Sequence, residues 1–324
     1  MRFRQFVAVT WLGLLCAVAA SHAQTPAAAA PLTTAQERGL KPKDSFRECE
    51  NCPEMVVVPE GSFTMGSPDK EEGHYKDESP QHVVTIGRPF AVGKLHVTVE
   101  QFDAFVRETR YEASSKCWTY EGGKGEERAG RSWRNPGFMQ ERTHPVVCVT
   151  WDDAKAYVGW IAKKTGKPYR LLTEAEWEYA ARGQTSPGAY PRFWFGDDDK
   201  AFCQNGNGAD QEVKGIAGWS SSWDTVPCND GYTYTSPAGH YKPNEFGLYD
   251  MAGDAWQWTA DCWRGDYSGA PNDGTAWTAG DCRLRVVRGG AWVNGPAALR
   301  AAARNRFSVE NDRFGFRLAR TLAP

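Results

Sequence analysis

The sequence predicts one loop-rich domain in which short strands and a few helices are separated by irregular stretches. Three observations predict it. The 324 residues include 33 glycines, 19 prolines and 14 tryptophans, so turns are plentiful and the core leans on aromatic side chains. Helical periodicity is confined to three segments before Gly183. No Pro- or Ser-rich linker divides residues 48–320, so that length is read as one domain. The charges nearly balance, with 38 Lys plus Arg against 40 Asp plus Glu and a formal net charge of -2. That excludes the basic excess of a nucleic-acid or anionic-membrane binder. A mean hydropathy of -0.59 is too polar for a multispan membrane protein, and 13% aromatic residues argue against disorder.

Taken in order, the chain begins with an address. Arg2 and Arg4 precede an apolar run over 6–20, and Ser21-His22-Ala23 offers small residues for cleavage before Gln24. Residues 1–23 therefore read as a secretory signal peptide, and the apolar run is shorter than the roughly 20 residues that span a bilayer. After cleavage no membrane segment is expected, and the product is periplasmic or secreted. Residues 24–47, rich in Ala, Pro, Thr and Lys, read as a flexible linker.

Residues 55–58 form a short apolar run closed by Pro59, 63–66 a second strand, 81–86 an alternating one and 90–95 a fourth. Thr98 caps a helix over 98–109 with Phe102, Phe105 and Val106 on one face. A second helix covers 151–165 and is stopped by Gly166 and Pro168. Thr173 and Glu176 form a capping box for a third, which ends near Arg182. Beyond Gly183 strands are expected near 247–249, 255–259, 285–290 and 315–318.

Nine cysteines become eight once Cys16 leaves with the signal. An even count in an exported chain points to disulfides. Sequence neighbourhood favours Cys49–Cys52, Cys117–Cys148, Cys203–Cys228 and Cys262–Cys282, although spacing alone leaves other pairings open. A zinc site at Cys49-x-x-Cys52 is the rival, weakened by the absence of a second CxxC.

Several blocks then come together: residues 55–66 (MVVVPEGSFTMG), 144–147 (HPVV), 150–154 (TWDDA), 170–182 (RLLTEAEWEYAAR), 244–258 (NEFGLYDMAGDAWQW), 288–292 (RGGAW) and 315–317 (GFR). In this order they resemble the formylglycine-generating enzyme, or sulfatase-modifying factor, family. The resemblance implies a single α+β domain of low regular secondary structure, related to C-type lectins. It also implies an oxidase that holds copper(I) on two cysteines after the Gly-Gly motif and converts a sulfatase cysteine to formylglycine. Here Asn294 stands at the first of those positions, Ala291 replaces the motif's serine, and no cysteine follows Cys282. A hard amide oxygen does not substitute for a thiolate on copper(I). Copper and formylglycine-generating activity are therefore not expected.

The family's structural Ca2+ sites map onto two ligand sets, the first comprising Asn207, the Gly208 carbonyl, Asp230 and the Tyr232 carbonyl. Asp250, the Gly253 and Ala255 carbonyls and Gln257 make the second. Calcium favours six to eight hard oxygens on irregular loops; the competing reading is that these side chains satisfy turn backbone. Glu174, Glu176 and Glu178 read as capping and salt-bridge residues, and Arg300, Arg304, Arg306, Arg313 and Arg317 as a structural network.

Two functions are carried forward. The first is an exported binding or accessory module, whose cleft of Trp292, Asn294, Arg304 and Asn305 receives a peptide, a glycan or a partner protein. The alternative is an oxidoreductase with altered ligands acting on an exported protein or small metabolite, as assigned or proposed for some relatives in siderophore-tailoring and nitrite-reductase clusters.

Overall fold

The computed structural model describes residues 29–184, 187–188, 190–216 and 223–324. The signal-peptide reading of 1–23 lies outside the described residues. In chain order the elements are α1 (Thr34–Gly39), β1 (Ser45–Phe46), β2 (Met55–Val58), β3 (Gly61–Met65), β4 (His82–Ile86), β5 (Phe90–Gly93), α2 (Val99–Thr109), β6 (Lys116–Glu121) and β7 (Lys124–Ala129). Then follow α3 (Trp151–Thr165), β8 (Tyr169–Leu171), α4 (Glu174–Arg182), β9 (Trp256–Trp263), β10 (Asp281–Arg288), α5 (Pro296–Leu299), β11 (Arg304–Phe307), β12 (Phe314–Phe316) and β13 (Leu318–Thr321).

The three expected helices form where their caps place them. Thr98, Thr150 and Thr173 each accept a bond from the backbone three residues on, and each is answered by the side chain there. These reciprocal bonds satisfy the exposed N–H groups of a helix start. Gly166 and Gly183, both left-handed, end α3 and α4. A fourth box, Thr33 with Gln36, starts α1 inside the stretch read as a linker. From there Glu37 receives hydrogen bonds from Arg320 Nη2 and Lys167 Nζ, both at 2.6 Å, so this part of the stretch is tied to the last strand.

One sheet has the order β1-β2-β5-β13-β8, antiparallel throughout. Every residue of β2 and β5 is buried, which explains runs without polar alternation. The second sheet has the order β11-β10-β9-β12, with β12 parallel to β9. Hairpins β3–β4 and β6–β7 complete the set. The β6–β7 hairpin escapes sequence reading because β7 (KGEERA) carries no apolar alternation; its turn uses Gly122 and Gly123, both at positive φ. The expected strand at 247–249 is a turn instead, since Asn244 Oδ1 accepts from the Phe246 and Leu248 amides.

The α+β class stands, but the C-type-lectin-like expectation is corrected. The strand pairing defines a different topology: a five-stranded antiparallel sheet, and a separate mixed sheet whose strand β9 lies between antiparallel β10 and parallel β12. The resemblance that suggested the lectin-like fold rests on short sequence blocks, which do not specify which strands pair. One aromatic core fills the space against α2 and α3, where Phe102, Phe105, Tyr157 and Phe316 meet at centroid distances of 5.3 to 6.4 Å. A second core lies under α4. The largely irregular segments 202–216 and 223–255 carry most of the polar residues of interest.

Candidate functional site

The loop entering β9 is bent by two non-glycine residues at positive φ, Asp250 (52°) and Asp254 (64°). Such conformations are strained and persist only where the surroundings enforce them. The enforcement is visible. Asn207 bridges to Gly253, and the Asp254 amide donates to the Asn207 carbonyl at 2.8 Å. A Cβ on Gly253 would lie 1.9 Å from that carbonyl oxygen, so only glycine fits. The result aims both carboxylates inward. One ring nitrogen of His96 and one oxygen from each of Asp250 and Asp254 lie within 4.8 Å of one another. All three residues are buried, as is Asn207.

Each carboxylate is only half satisfied. Asp250 Oδ2 accepts from the Gly239 amide at 2.6 Å, and Asp254 Oδ1 accepts from the Ser236 amide at 2.9 Å. Asp250 Oδ1, Asp254 Oδ2, Asn207 Oδ1 and His96 Nδ1 have no partner. Burial pushes the Asp250 carboxyl up to about 6 and, with the neighbouring Asp250 charge, Asp254 well above the carboxylate range. Burial and the Arg317 charge lower His96 to about 3 and keep it neutral. This is a candidate metal-binding cluster.

A second acidic pair, Asp210 and Asp230, differs. All four of its oxygens accept backbone N–H groups, from Glu212, Asp230, Tyr232 and Gly208, at 2.7 to 3.0 Å. Burial and the Asp210 charge push Asp230 up to about 7. The adjacent Cys203 is bonded to Cys228 and offers no thiolate.

The structure therefore regroups the expected calcium ligands. Asn207 turns away from Asp230, its amide donating to the Tyr234 carbonyl and to Asp254 Oδ1. In the second expected set, Gln257 Oε1 accepts from Trp177 Nε1 at 2.9 Å and Arg317 Nε at 3.0 Å. The Arg317 guanidinium also donates to the carbonyls of Gly93, Tyr249 and Asp250, so a built-in cation sits beside Gln257. The Ala255 carbonyl accepts from His96 Nε2 at 3.0 Å, and that of Gly253 from the Ala255 amide. Gly208 and Tyr232 bring their amides, not their carbonyls, to Asp230. Sequence reasoning missed His96 and Asp254, which no local motif marks.

The cleft residues are also partly brought together. Asn294, Arg304 and Asn305 line a cavity of about 300 Å³ with Tyr75, Asp77 and Trp256. A neighbouring cavity of about 370 Å³ shares Tyr75 and Asn294 and adds Trp223 and Asp224. Trp292 lines neither; it is a core residue packed on Phe138 and Tyr234. Asn294 Oδ1 accepts from Trp256 Nε1 at 2.8 Å and the Ala291 amide at 3.0 Å, bracing the loop after Gly289-Gly290. Arg304 is held by Glu174 at 2.7 and 2.8 Å and by two carbonyls. The eight described cysteines form Cys49–Cys52, Cys117–Cys148, Cys203–Cys228 and Cys262–Cys282.

Residues 41–322 match the family described as sulfatase-modifying factor enzyme 1-like domain. The chain belongs to that family. The formylglycine-generating enzyme of Thermomonospora curvata is 30% identical over 279 residues, covering 74% of this chain and 82% of the relative. The inactive C-alpha-formylglycine-generating enzyme 2 of Bos taurus is 31% identical over 302 residues, covering 82% and 87%. Among solved structures, PvdO from Pseudomonas aeruginosa superposes with a TM-score of 0.74 at 40% identity, over 87% of this chain and all of that one. With the family match spanning nearly the whole described chain, the sulfatase-modifying-factor fold replaces the C-type-lectin-like one.

Proposed function

We propose that this sulfatase-modifying-factor domain lacks cysteine-to-formylglycine oxidase activity and works outside the cytoplasm as a binding or accessory module. The observation that carries the reading is the loop after Gly289-Gly290. Asn294 occupies the family's first cysteine position with its oxygen already accepting two hydrogen bonds, and every described cysteine is in a disulfide. Among the described residues no thiolate pair is left for copper(I). The likeness to a relative named as inactive supports the same view, and four disulfides suit an oxidising compartment.

The cleft around Asn294 supplies the binding surface. Tyr75 and Trp223 are exposed aromatics there. Asp224 adds a carboxylate, and Asp77 keeps one buried oxygen without a partner. Flat apolar faces beside carboxylates suit an exported peptide or protein segment with a cationic side chain. Structural calcium in the two expected sets does not fit as drawn, because Gln257 is occupied and Asn207 faces away from Asp230.

The test combines oxygen uptake with binding. With a Cys-x-Pro-x-Arg peptide and copper supplied, the mature protein should consume no oxygen and leave the cysteine unmodified by mass spectrometry. The same peptide with its cysteine replaced by serine should bind by calorimetry, more weakly to Tyr75→Ala and Asp224→Asn. Formylglycine formation would overturn the first half of the reading, and binding unchanged in both variants the second.

A further inference from the structure

The four partnerless atoms beside β9 have a consequence separate from the cleft. His96 Nε2 lies 3.0 Å from the Ala255 carbonyl, which only accepts. The ring proton therefore sits on Nε2, and Nδ1 presents a bare lone pair. That lone pair is buried and unpartnered, like Asp250 Oδ1, Asp254 Oδ2 and Asn207 Oδ1. The donors nearby are the hydroxyls of Ser236, which hydrogen-bonds Asp254, and of Tyr241. Two hydroxyls do not answer four acceptors, and the shape of each acceptor suits a metal ligand. An imidazole that donates its far N–H to a backbone carbonyl while turning its other nitrogen to a carboxylate cluster has the usual second-contact arrangement of a metal-bound histidine.

The charged groups around the cluster come from every packed element. Arg317, just before β13, acts on Asp250 and His96, and His240 acts on Asp250. Asp230 adds negative charge toward Asp254. Tyr241 and Ser236 stand beside Asp254 and bring no charge. The Arg317 donors are directed at Gln257 and three backbone carbonyls rather than at either carboxylate oxygen, so Arg317 does not answer the orphaned acceptors.

We propose that His96, Asp250 and Asp254, with the Asn207 side-chain oxygen, form a binding site for a first-row divalent transition metal of the Zn2+ type rather than calcium. One nitrogen and three oxygens are too few and too mixed for calcium, which favours six to eight oxygens. Imidazole with carboxylates suits a smaller, borderline cation. The ion would tie the loop entering β9 to the 207 segment. Through the Asp254 carbonyl, which accepts from the Trp292 amide, and the Gly289 carbonyl, which accepts from the Gly253 amide, it would also brace the loop that carries Asn294.

The mature protein, dialysed against Zn2+ and then against metal-free buffer, should retain one Zn2+ per chain by elemental analysis, and a strong chelator should lower its melting temperature. His96→Gln should weaken Zn2+ binding by about tenfold or more, with its circular dichroism checked against wild type. Wild-type protein loaded with Mn2+ needs no variant: pulsed EPR should show coupling to one imidazole nitrogen. Retention of neither ion, no nitrogen coupling, or calcium held equally by wild type and His96→Gln would each overturn the proposal. These readouts are taken on metal content and coordination without peptide, while the cleft is tested at Tyr75 and Asp224, which are not among the proposed ligands, so failure here and failure of the cleft reading are separately visible.

Discussion

Two buried polar clusters flank the second sheet, and they are built on opposite terms. Under α4, carboxylates and guanidiniums answer one another. Glu178 meets Arg182 and Arg288, Glu174 meets Arg304 and Arg288, and Glu78 and Glu71 meet Arg300. Beside the loop entering β9, Asp250 and Asp254 face each other and a neutral histidine, each with an oxygen unanswered. Both clusters are as deeply buried as any part of the molecule. The difference teaches that burial of charge does not by itself mark a site. A cluster whose carboxylates are answered by guanidiniums is structural even with Arg288 Nε unpartnered, and one that leaves several acceptors facing one another is built for something else.

The largest expected effect breaks the closed cluster. Glu178→Ala leaves Arg182 and Arg288 buried without their shared carboxylate, and should cost about 3–5 kcal/mol in urea denaturation. A loss under about 1 kcal/mol would mean that pairing is not what separates the clusters. Next, Gly253→Ala pushes a Cβ onto the Asn207 carbonyl at a positive φ. It should cost about 2–3 kcal/mol and disconnect the open cluster.

Asp254→Asn should have the opposite sign from Glu178→Ala. In chelator-treated protein its new amide can donate to the empty acceptors of Asp250 and His96, raising stability by about 1 kcal/mol while any metal-dependent rise in melting temperature disappears. A destabilised variant would show that the orphaned oxygens have hidden donors.

The smallest effect is one of pH. Burial pushes the Glu37 carboxyl up, but hydrogen bonds from Arg320 and Lys167 outweigh it and hold it down at about 2. Its contribution should be fully present above its unfolded value of roughly 4.3 and fade as pH falls toward 2. The melting-temperature gap between wild type and Glu37→Gln should close over that interval; a constant gap would remove Glu37 from the closed class.

Much of this was legible in the chain. The caps at Thr98 and Thr173 are local chemistry, so those two helix starts could be read from sequence, while the box at Thr150 and Asp153 emerged only in the structure. The ordered blocks ending in Gly-Phe-Arg317 pointed to the family. The β6–β7 hairpin was hidden because β7 carries no apolar alternation, and α1 because its Ala- and Thr-rich surroundings have no hydrophobic period. The lectin-like expectation, taken from the resemblance, failed because matching sequence blocks do not state which strands pair.

The site itself was legible only in fragments. Asn207, Asp250 and Gln257 were named, but in the wrong company. Trp177 takes the Gln257 oxygen from 80 residues away and Arg317 from 60, while His96 meets the Ala255 carbonyl across 159. Sequence alone determined two of the helix caps and the family, because each depends on residues close together or on blocks that follow one another in order. Tertiary structure decided which polar atoms are satisfied and which are left facing one another. That depends on long-range pairing and on two aspartates held at positive φ, neither of which leaves a local trace.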